Sequence, residues 1–404
     1  MDKYLNMKNK LIALALLGSL SSFTLASGEK NNSLAPEATA DEAKLSFRDI
    51  PYLDKAFIDP TPADRKDAII VGELGADGGN KDMIIKLAQE IADGKLGKFD
   101  SLLIAHKGKL LFESYYNRGR VDLPHPQASA TKAYTALAIG RAIQLGYLSM
   151  ADLNKPLVSF LKDLNPAKFV EGAEKITLHQ AMTMRSGIRF SKEQKEAIDK
   201  NPDALKGQGQ VQTYLEYSAP ITAKSQTFKY QNDPIFVMQV LDAVVPSSAM
   251  DFIKNEVLAK MGITNYGWRI DVSGLPHAGS RASITSRDMV KFGMLAANNG
   301  KWNGEQLISK KFIKTAANRI FYTLDEELHY GGKDVSNQGY GYYWWTTDLK
   351  HDNKTYSSRS AQGGWGQFII LIDELELMVV FTAHDNDTSY QQITAEKILP
   401  AFIK

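Results

Sequence analysis

The chain has 404 residues, 44% of them hydrophobic and 23% charged, with a formal net charge of +2 and no cysteine. Those fractions exclude a disordered or collagen-like chain. The missing cysteine removes disulfides, thiolate metal sites and cysteine nucleophiles together. The length suffices for one large core, or for a core with a second lobe inserted into it.

The first residues carry the pattern of an export signal. Lys8 and Lys10 form a positive start, Leu11 to Leu17 an apolar centre, and Thr24-Leu25-Ala26 a small-residue cleavage site. A membrane anchor needs about 20 apolar residues, and Ser19, Ser21 and Ser22 interrupt this run. The expectation is a signal peptide over 1–26, cleaved to release a periplasmic or secreted bacterial protein with no stable membrane span. Lys3, Lys8, Lys10 and Asp2 leave with it, a net of +2, so the remaining chain is neutral. A neutral chain without basic runs has no electrostatic footprint for nucleic acid, and none is expected as a partner.

Residues 27–48 are polar and charged and read as a flexible linker. The prolines and glycines of 50–80 read as an arm without regular structure. Ile84, Ile85, Leu87, Ala88 and Ile91 predict a helix near 80–94. Leu102-Leu103-Ile104 and Leu110-Leu111-Phe112, joined by His106-Lys107-Gly108-Lys109, predict a hairpin. Near the other end, a strand ending at about Ala361 precedes two more, Phe368 to Ile372 and Leu377 to Phe381. Such continuous apolar runs suit strands buried on both faces. Between the ends, helical patterns occupy 132–146, 176–185, 235–244, 249–260 and 286–298. The expected fold is α+β: one antiparallel sheet built from both termini, flanking helices, and a mainly helical lobe over about 147–285 within a domain of residues 49–404. A cleft between sheet and lobe is the natural ligand site.

The G-x-S-x-G elbow, the Walker loop, the dinucleotide glycine fingerprint and close histidine metal spacings are all missing. Ser129-Ala130-Thr131-Lys132 remains. S-x-x-K recurs at Ser27…Lys30 and Ser159…Lys162, so position separates the three. Ser129 follows the turn Pro124-His125-Pro126 and opens the apolar helix from Ala133 to Leu145. Residues three apart share a helix face, placing the Lys132 amine within reach of the Ser129 hydroxyl. A helix start favours developing negative charge, and burial can depress a lysine pKa until the amine serves as a base. The plain alternative is Ser129 as an ordinary N-cap followed by an exposed lysine.

Two further segments accompany it. Tyr230-Gln231-Asn232 lies just before the helix near Ile235, on a loop rim that can present a phenol and an amide, or is simply a surface turn. Ala361-Gln362-Gly363-Gly364-Trp365-Gly366-Gln367 leads into a strand. Glycines there admit a substrate carbonyl to the backbone, and equally mark a bulge. The N–H groups of Gly364 and Ser129 can form an oxyanion hole worth about 3–4 kcal/mol.

In this order the three segments resemble the motifs of the penicillin-binding-protein-like serine hydrolases, which include class C β-lactamases, DD-peptidases and related esterases. The resemblance runs from about Phe57 to the C-terminus. It takes in Leu275-Pro276-His277-Ala278-Gly279-Ser280-Arg281 and Tyr340-Gly341-Tyr342-Tyr343-Trp344-Trp345. It implies a β-lactamase/DD-peptidase-like fold and two-step cleavage of an ester, amide or peptide through an acyl-Ser129 intermediate, without a cofactor. By the same resemblance Lys132 is the base, Tyr230 relays the proton and Asn232 positions the substrate, beside Gly363 and Gly364.

One departure stands out. Where β-lactamases and DD-peptidases carry a lysine or histidine, this chain has Ala361. The A-x-G form looks more like the branch of 6-aminohexanoate-dimer hydrolases and carboxylesterases. Arg359, two residues earlier on the same strand face, is a candidate substitute charge for weak DD-peptidase or β-lactamase activity, against the plainer reading of a surface arginine. The aromatic run Tyr340 to Trp345, with Trp365, is either an apolar acyl pocket or core. A non-catalytic peptidoglycan- or partner-binding module is the other class of function that Ala361 leaves open.

Overall fold

The computed structural model describes residues 34–323 and 331–403. The signal peptide expected over 1–26 and the linker residues up to 33 lie outside them. Among the described residues fourteen strands alternate with the helices, in four groups. The first group is β1 (Phe57–Asp59), α1 (Lys81–Ala92), β2 (Phe99–His106), β3 (Lys109–Tyr115), β4 (His125–Pro126) and α2 (Thr131–Gln144). The lobe follows with α3 (Leu178–Met182), α4 (Lys192–Asp199), α5 (Gly209–Tyr217), α6 (Pro234–Val244), α7 (Ala249–Phe252), β5 (Tyr266–Trp268) and β6 (Ala282–Ile284). Then come α8 (Ser286–Ala297), the hairpin β7 (Lys301–Trp302) and β8 (Glu305–Gln306), and α9 (Lys310–Ala316). The chain ends with β9 (Phe321–Tyr322), β10 (Val335–Tyr340), β11 (Trp345–His351), β12 (Lys354–Gly363), β13 (Gln367–Ile372), β14 (Leu377–Ala383), α10 (Tyr390–Ile393) and α11 (Leu399–Phe402).

The main sheet has nine antiparallel strands in the order β1-β3-β2-β14-β13-β12-β11-β10-β9. The pairing of β2 with β14, Leu103 opposite Val380, joins the two ends of the fold. This bears out the α+β expectation, and burial explains the unbroken apolar runs. Leu103, Ile369, Leu371 and Val380 pack on the face that carries the helical lobe. Their neighbours Leu102, Ile370, Val379 and Phe381 pack on the opposite face with Ile84, Leu87 and Ile91 of α1. A strand buried on both sides has no polar face and so shows no alternation. Helix α2 is likewise buried from Thr131 to Gly140, as expected of a helix apolar on all sides. Among the described residues no single helix is long and apolar enough to cross a membrane.

Two expectations change. Residues 35–48 are not a free linker: they dock on the domain. Val121 N–H donates to the Pro36 carbonyl at 2.9 Å, and Ala38 N–H to Asp122 Oδ1 at 2.8 Å. Arg120, itself buried, pairs with Glu42 at 2.7 Å, and the Phe47 ring lies 4.1 Å from that of His125. A few polar bonds and one ring hold the segment, so its composition resembled a tether. The arm over 50–80 also contributes β1, which pairs Phe57 with Tyr115 at the sheet edge.

Candidate active site

Ser129 sits in the single 3₁₀ turn Ala128–Ala130 that feeds α2, rather than in the helix proper. The turn is tightly held. Gln127 N–H donates to the Ala282 carbonyl at 2.8 Å, and Tyr134 Oη to Gln127 Oε1 at 2.7 Å. Thr131 Oγ1 donates to the Ala128 carbonyl at 2.7 Å. Ala128 adopts φ +44°, a strained value for a residue with a Cβ, which this over-determined turn sustains.

Lys132, on the first turn of α2, is 6% exposed. Its Nζ donates to Ser129 Oγ at 2.9 Å and to the Gly279 carbonyl at 2.9 Å. Burial pushes the amine down to about 7, because a low-dielectric site penalises the charged form. The exposed-lysine alternative is therefore excluded, and the pair has the geometry of a nucleophile beside its base. Gly279 comes from the stretch before β6, whose pairing with β4 carries it to α2. Its carbonyl was missed as a partner of Lys132, since only the tertiary contact reveals it.

The Tyr230 ring centre lies 4.6 Å from Lys132 Nζ. Around Tyr230 stand Trp345 at 5.3 Å and Tyr340 at 6.2 Å between ring centres. Tyr340, Tyr342, Tyr343, Trp344 and Trp345 are all buried, so this run is core that fixes the Tyr230 ring. Trp365 does not join them: it is half-exposed on the turn between β12 and β13, with φ +70°. Its N–H donates to Asn386 Oδ1 at 2.8 Å.

Asn232 is exposed on the rim, while Lys132 bonds Ser129 and the Gly279 carbonyl. Its neighbour Asp233 anchors the loop. Asp233 is 1% exposed and accepts from Ser186 N–H at 3.0 Å, Ser186 Oγ at 2.9 Å and Gln231 Nε2 at 3.0 Å. Burial raises its pKa to about 6 despite those bonds. Asp233→Ala strands three donors, and a loss of about 2–4 kcal/mol is expected from such unsatisfied groups. Thermal unfolding checks this, and turnover should fall about tenfold as Tyr230 loses its anchor.

Gly363 ends β12 against the nucleophile turn. A Cβ there would lie 2.2 Å from the Gln127 carbonyl oxygen and 3.1 Å from Ala130 N. Only glycine permits that approach of the β12 end to the turn that carries Ser129. Gly363→Ala must move the turn by about 1 Å, a displacement that costs roughly a hundredfold in rate. Steady-state kcat/KM on an activated ester reads this effect.

Arg359 is not brought to the site. Its guanidinium donates to Asp373 Oδ1 at 2.8 Å, and to the Ala296 carbonyl at 3.4 Å in the last turn of α8. It lies four residues, about 13 Å of strand, from Gly363. The same-face register was right, but the acidic Asp373 after β13 claims the charge. Ala361 is fully buried and contributes no cation. Among the described residues no cluster of three metal-ligating side chains occurs.

A serine whose hydroxyl bonds a buried lysine, at the foot of a helix under the end of an antiparallel strand, defines a serine-hydrolase type of site. The sequence profile of the Beta-lactamase family matches residues 99–401, and the chain belongs to that family. No curated protein sequence matches it significantly. Among solved structures it is similar to a protein described as a 6-aminohexanoate-dimer hydrolase from Bacillus anthracis. That match has 20% identity over 77% of this chain and 80% of the other, with a TM-score of 0.57. It is also similar to a penicillin-binding protein from Bacillus halodurans, at 17% identity over 78% and 99%, with a TM-score of 0.56. EstCE1, a hydrolase with promiscuous acyltransferase activity, matches at 14% identity over 79% and 96%, with a TM-score of 0.56.

Proposed function

We propose that the protein is an exported serine hydrolase that cleaves an ester or amide through an acyl-Ser129 intermediate. The observation that carries this reading is the 2.9 Å bond between Ser129 Oγ and a Lys132 amine buried enough for its neutral form to be populated near pH 7. The neutral amine accepts the hydroxyl proton as Oγ forms its bond to the carbonyl carbon. Oxyanion charge is met by the N–H groups of Ser129 and Gly364. The proton passes by way of Tyr230 to the departing alcohol or amine as its bond to the acyl carbon breaks. Water then hydrolyses the ester, Lys132 again taking the proton, to release the acid and restore Ser129. Asn232 orients substrate from the rim in this reading, and Trp365 borders the binding groove. No cofactor enters the scheme.

The buried Ala361 favours the esterase and amidase branch over a potent β-lactamase or DD-peptidase, whose cation at that position holds a carboxylate. The ion pair of Arg359 with Asp373 counts against its rescue of such activity. Secretion or periplasmic residence rests on the pattern of residues 1–26 alone.

The test is intact mass after brief exposure to a fluorophosphonate, a short-chain activated ester and a penicillin, beside Ser129→Ala. Serine-dependent labelling with fast ester turnover and little penicilloylation is the expected result. A persistent penicilloyl adduct would shift the reading to a penicillin-binding protein. No adduct and no turnover would leave a binding module.

A further inference from the structure

A groove of about 940 Å³ opens beside the nucleophile turn, bordered there by Ala128, Gly364 and Trp365. Four arginines line it: Arg48 from the docked N-terminal segment, Arg118 after β3, Arg269 after β5 and Arg281 before β6. No aspartate or glutamate lines it. Elsewhere the buried arginines are paired, Arg120 with Glu42 and Arg287 with Asp67 and Glu113. The four groove arginines form no ion pair among the described residues, although they converge from separate parts of the chain.

The groove is also built, not merely basic. The Arg118 guanidinium packs on the rings of Tyr52 at 5.0 Å and Phe47 at 6.0 Å, and its buried Nε has no partner. His125 and His384 in the wall each bond Oδ2 of the fully buried Asp100 at 2.9 Å. Bonds from these histidines hold the Asp100 carboxyl below the usual range, against its burial. The Tyr52 hydroxyl bonds His384 Nε2 at 2.8 Å, tying the N-terminal segment to the same wall. Like charges brought to one groove repel, Arg48, Arg269 and Arg281 weakly because they are exposed, and a bound anion relieves that repulsion. Guanidinium groups match oxyanions by paired N–H donors.

We infer that this arginine-lined groove is a substrate subsite for the anionic part of the molecule whose acyl group Ser129 attacks, a carboxylate- or phosphate-bearing ester or amide. The inference deepens the hydrolase reading and rests on it for the word substrate. It supplies from four loops the cation that Ala361 withholds from β12. It also gives residues 35–48 a purpose, since Phe47 and Arg48 complete one wall.

The experiment compares kcat/KM for mono-p-nitrophenyl glutarate, for the p-nitrophenyl ester of a phosphate-bearing acid, and for neutral p-nitrophenyl valerate. The full chain is used beside the R269Q/R281Q double variant. Both altered side chains are exposed, so the fold should survive. The expected result is an anionic-to-neutral ratio above tenfold at low salt that shrinks with ionic strength. The double variant should lower that ratio at least tenfold. The two anionic esters distinguish carboxylate from phosphate as the preferred group. A ratio near one, or one unmoved by the double substitution or by salt, would overturn the subsite. If no ester is turned over, the hydrolase reading fails separately. The groove is then read by titrating tricarballylate and pyrophosphate into Ser129→Ala: binding lost with R269Q/R281Q sustains it, and no binding ends it.

Discussion

Ser129→Ala is expected to lower ester turnover by at least about four orders of magnitude, the scale on which removal of a nucleophile acts. The geometry leaves no understudy. Lys132 Nζ has two partners, Ser129 Oγ and the Gly279 carbonyl, and a carbonyl cannot attack. The variant should fold normally, because Ser129 is only half-buried and the turn is held by Gln127, Thr131 and Tyr134. Thermal unfolding and progress curves with an activated ester check both halves. Turnover within tenfold of the parent protein would remove Ser129 from the mechanism.

Lys132→Met should separate activity from stability. Loss of the base is expected to reduce kcat/KM by roughly a thousandfold, within the range assigned to general acid–base groups. Stability should move the other way, by about 1–3 kcal/mol in favour of the variant at neutral pH, since an apolar side chain of similar volume suits a buried site better. The pH dependence fixes the sign. Burial holds the folded pKa at about 7, below the ordinary lysine value. Between about 7 and 10.5 the unfolded chain therefore binds one more proton than the folded one. Parent stability should rise with pH across that window by about 1 kcal/mol per unit, and the variant should lack this slope. Below about 7 the amine is charged in both states and the slope vanishes. Parent kcat/KM should climb about tenfold per pH unit towards 7 and then level as the neutral amine becomes populated. Denaturant titrations at several pH values and a pH–rate profile measure the two quantities. A pH–rate profile flat between 5 and 9 would show that Lys132 is not the base.

Much of this was readable in the chain. Apolar runs such as Phe368 to Ile372 and Leu377 to Phe381 specify strands buried on both faces, because hydrophobicity without alternation admits few other solutions over that length. The hairpin of β2 and β3 follows from Gly108 between two such runs. Ser129 and Lys132 were legible because their relation is local: three residues on one helical turn fix the distance between the side chains. Gly363 was legible as a glycine at a strand end, though not its reason, the carbonyl of Gln127.

Relations that span the chain were not legible. Asn232 is exposed on the rim where the sequence places it, but that the next residue, Asp233, is buried against Ser186 is decided by the packing of α6. Arg359 shares a face with Ala361, but Asp373, brought alongside by the turn after β13, captures its charge. The polar segment 35–48 reads as a tether because composition records no partner, and Arg120 and Asp122 supply one only after folding. The four groove arginines lie between positions 48 and 281 and gain meaning only together. Sequence alone determined which residues were apolar, where the central strands and the main helices fall, and a serine–lysine pair at the start of an apolar helix. Tertiary structure decided which charges are neutralised and which are left facing a groove, because Coulomb and hydrogen-bond energies depend on separation in space, and spacing along the chain sets that only over a turn or two.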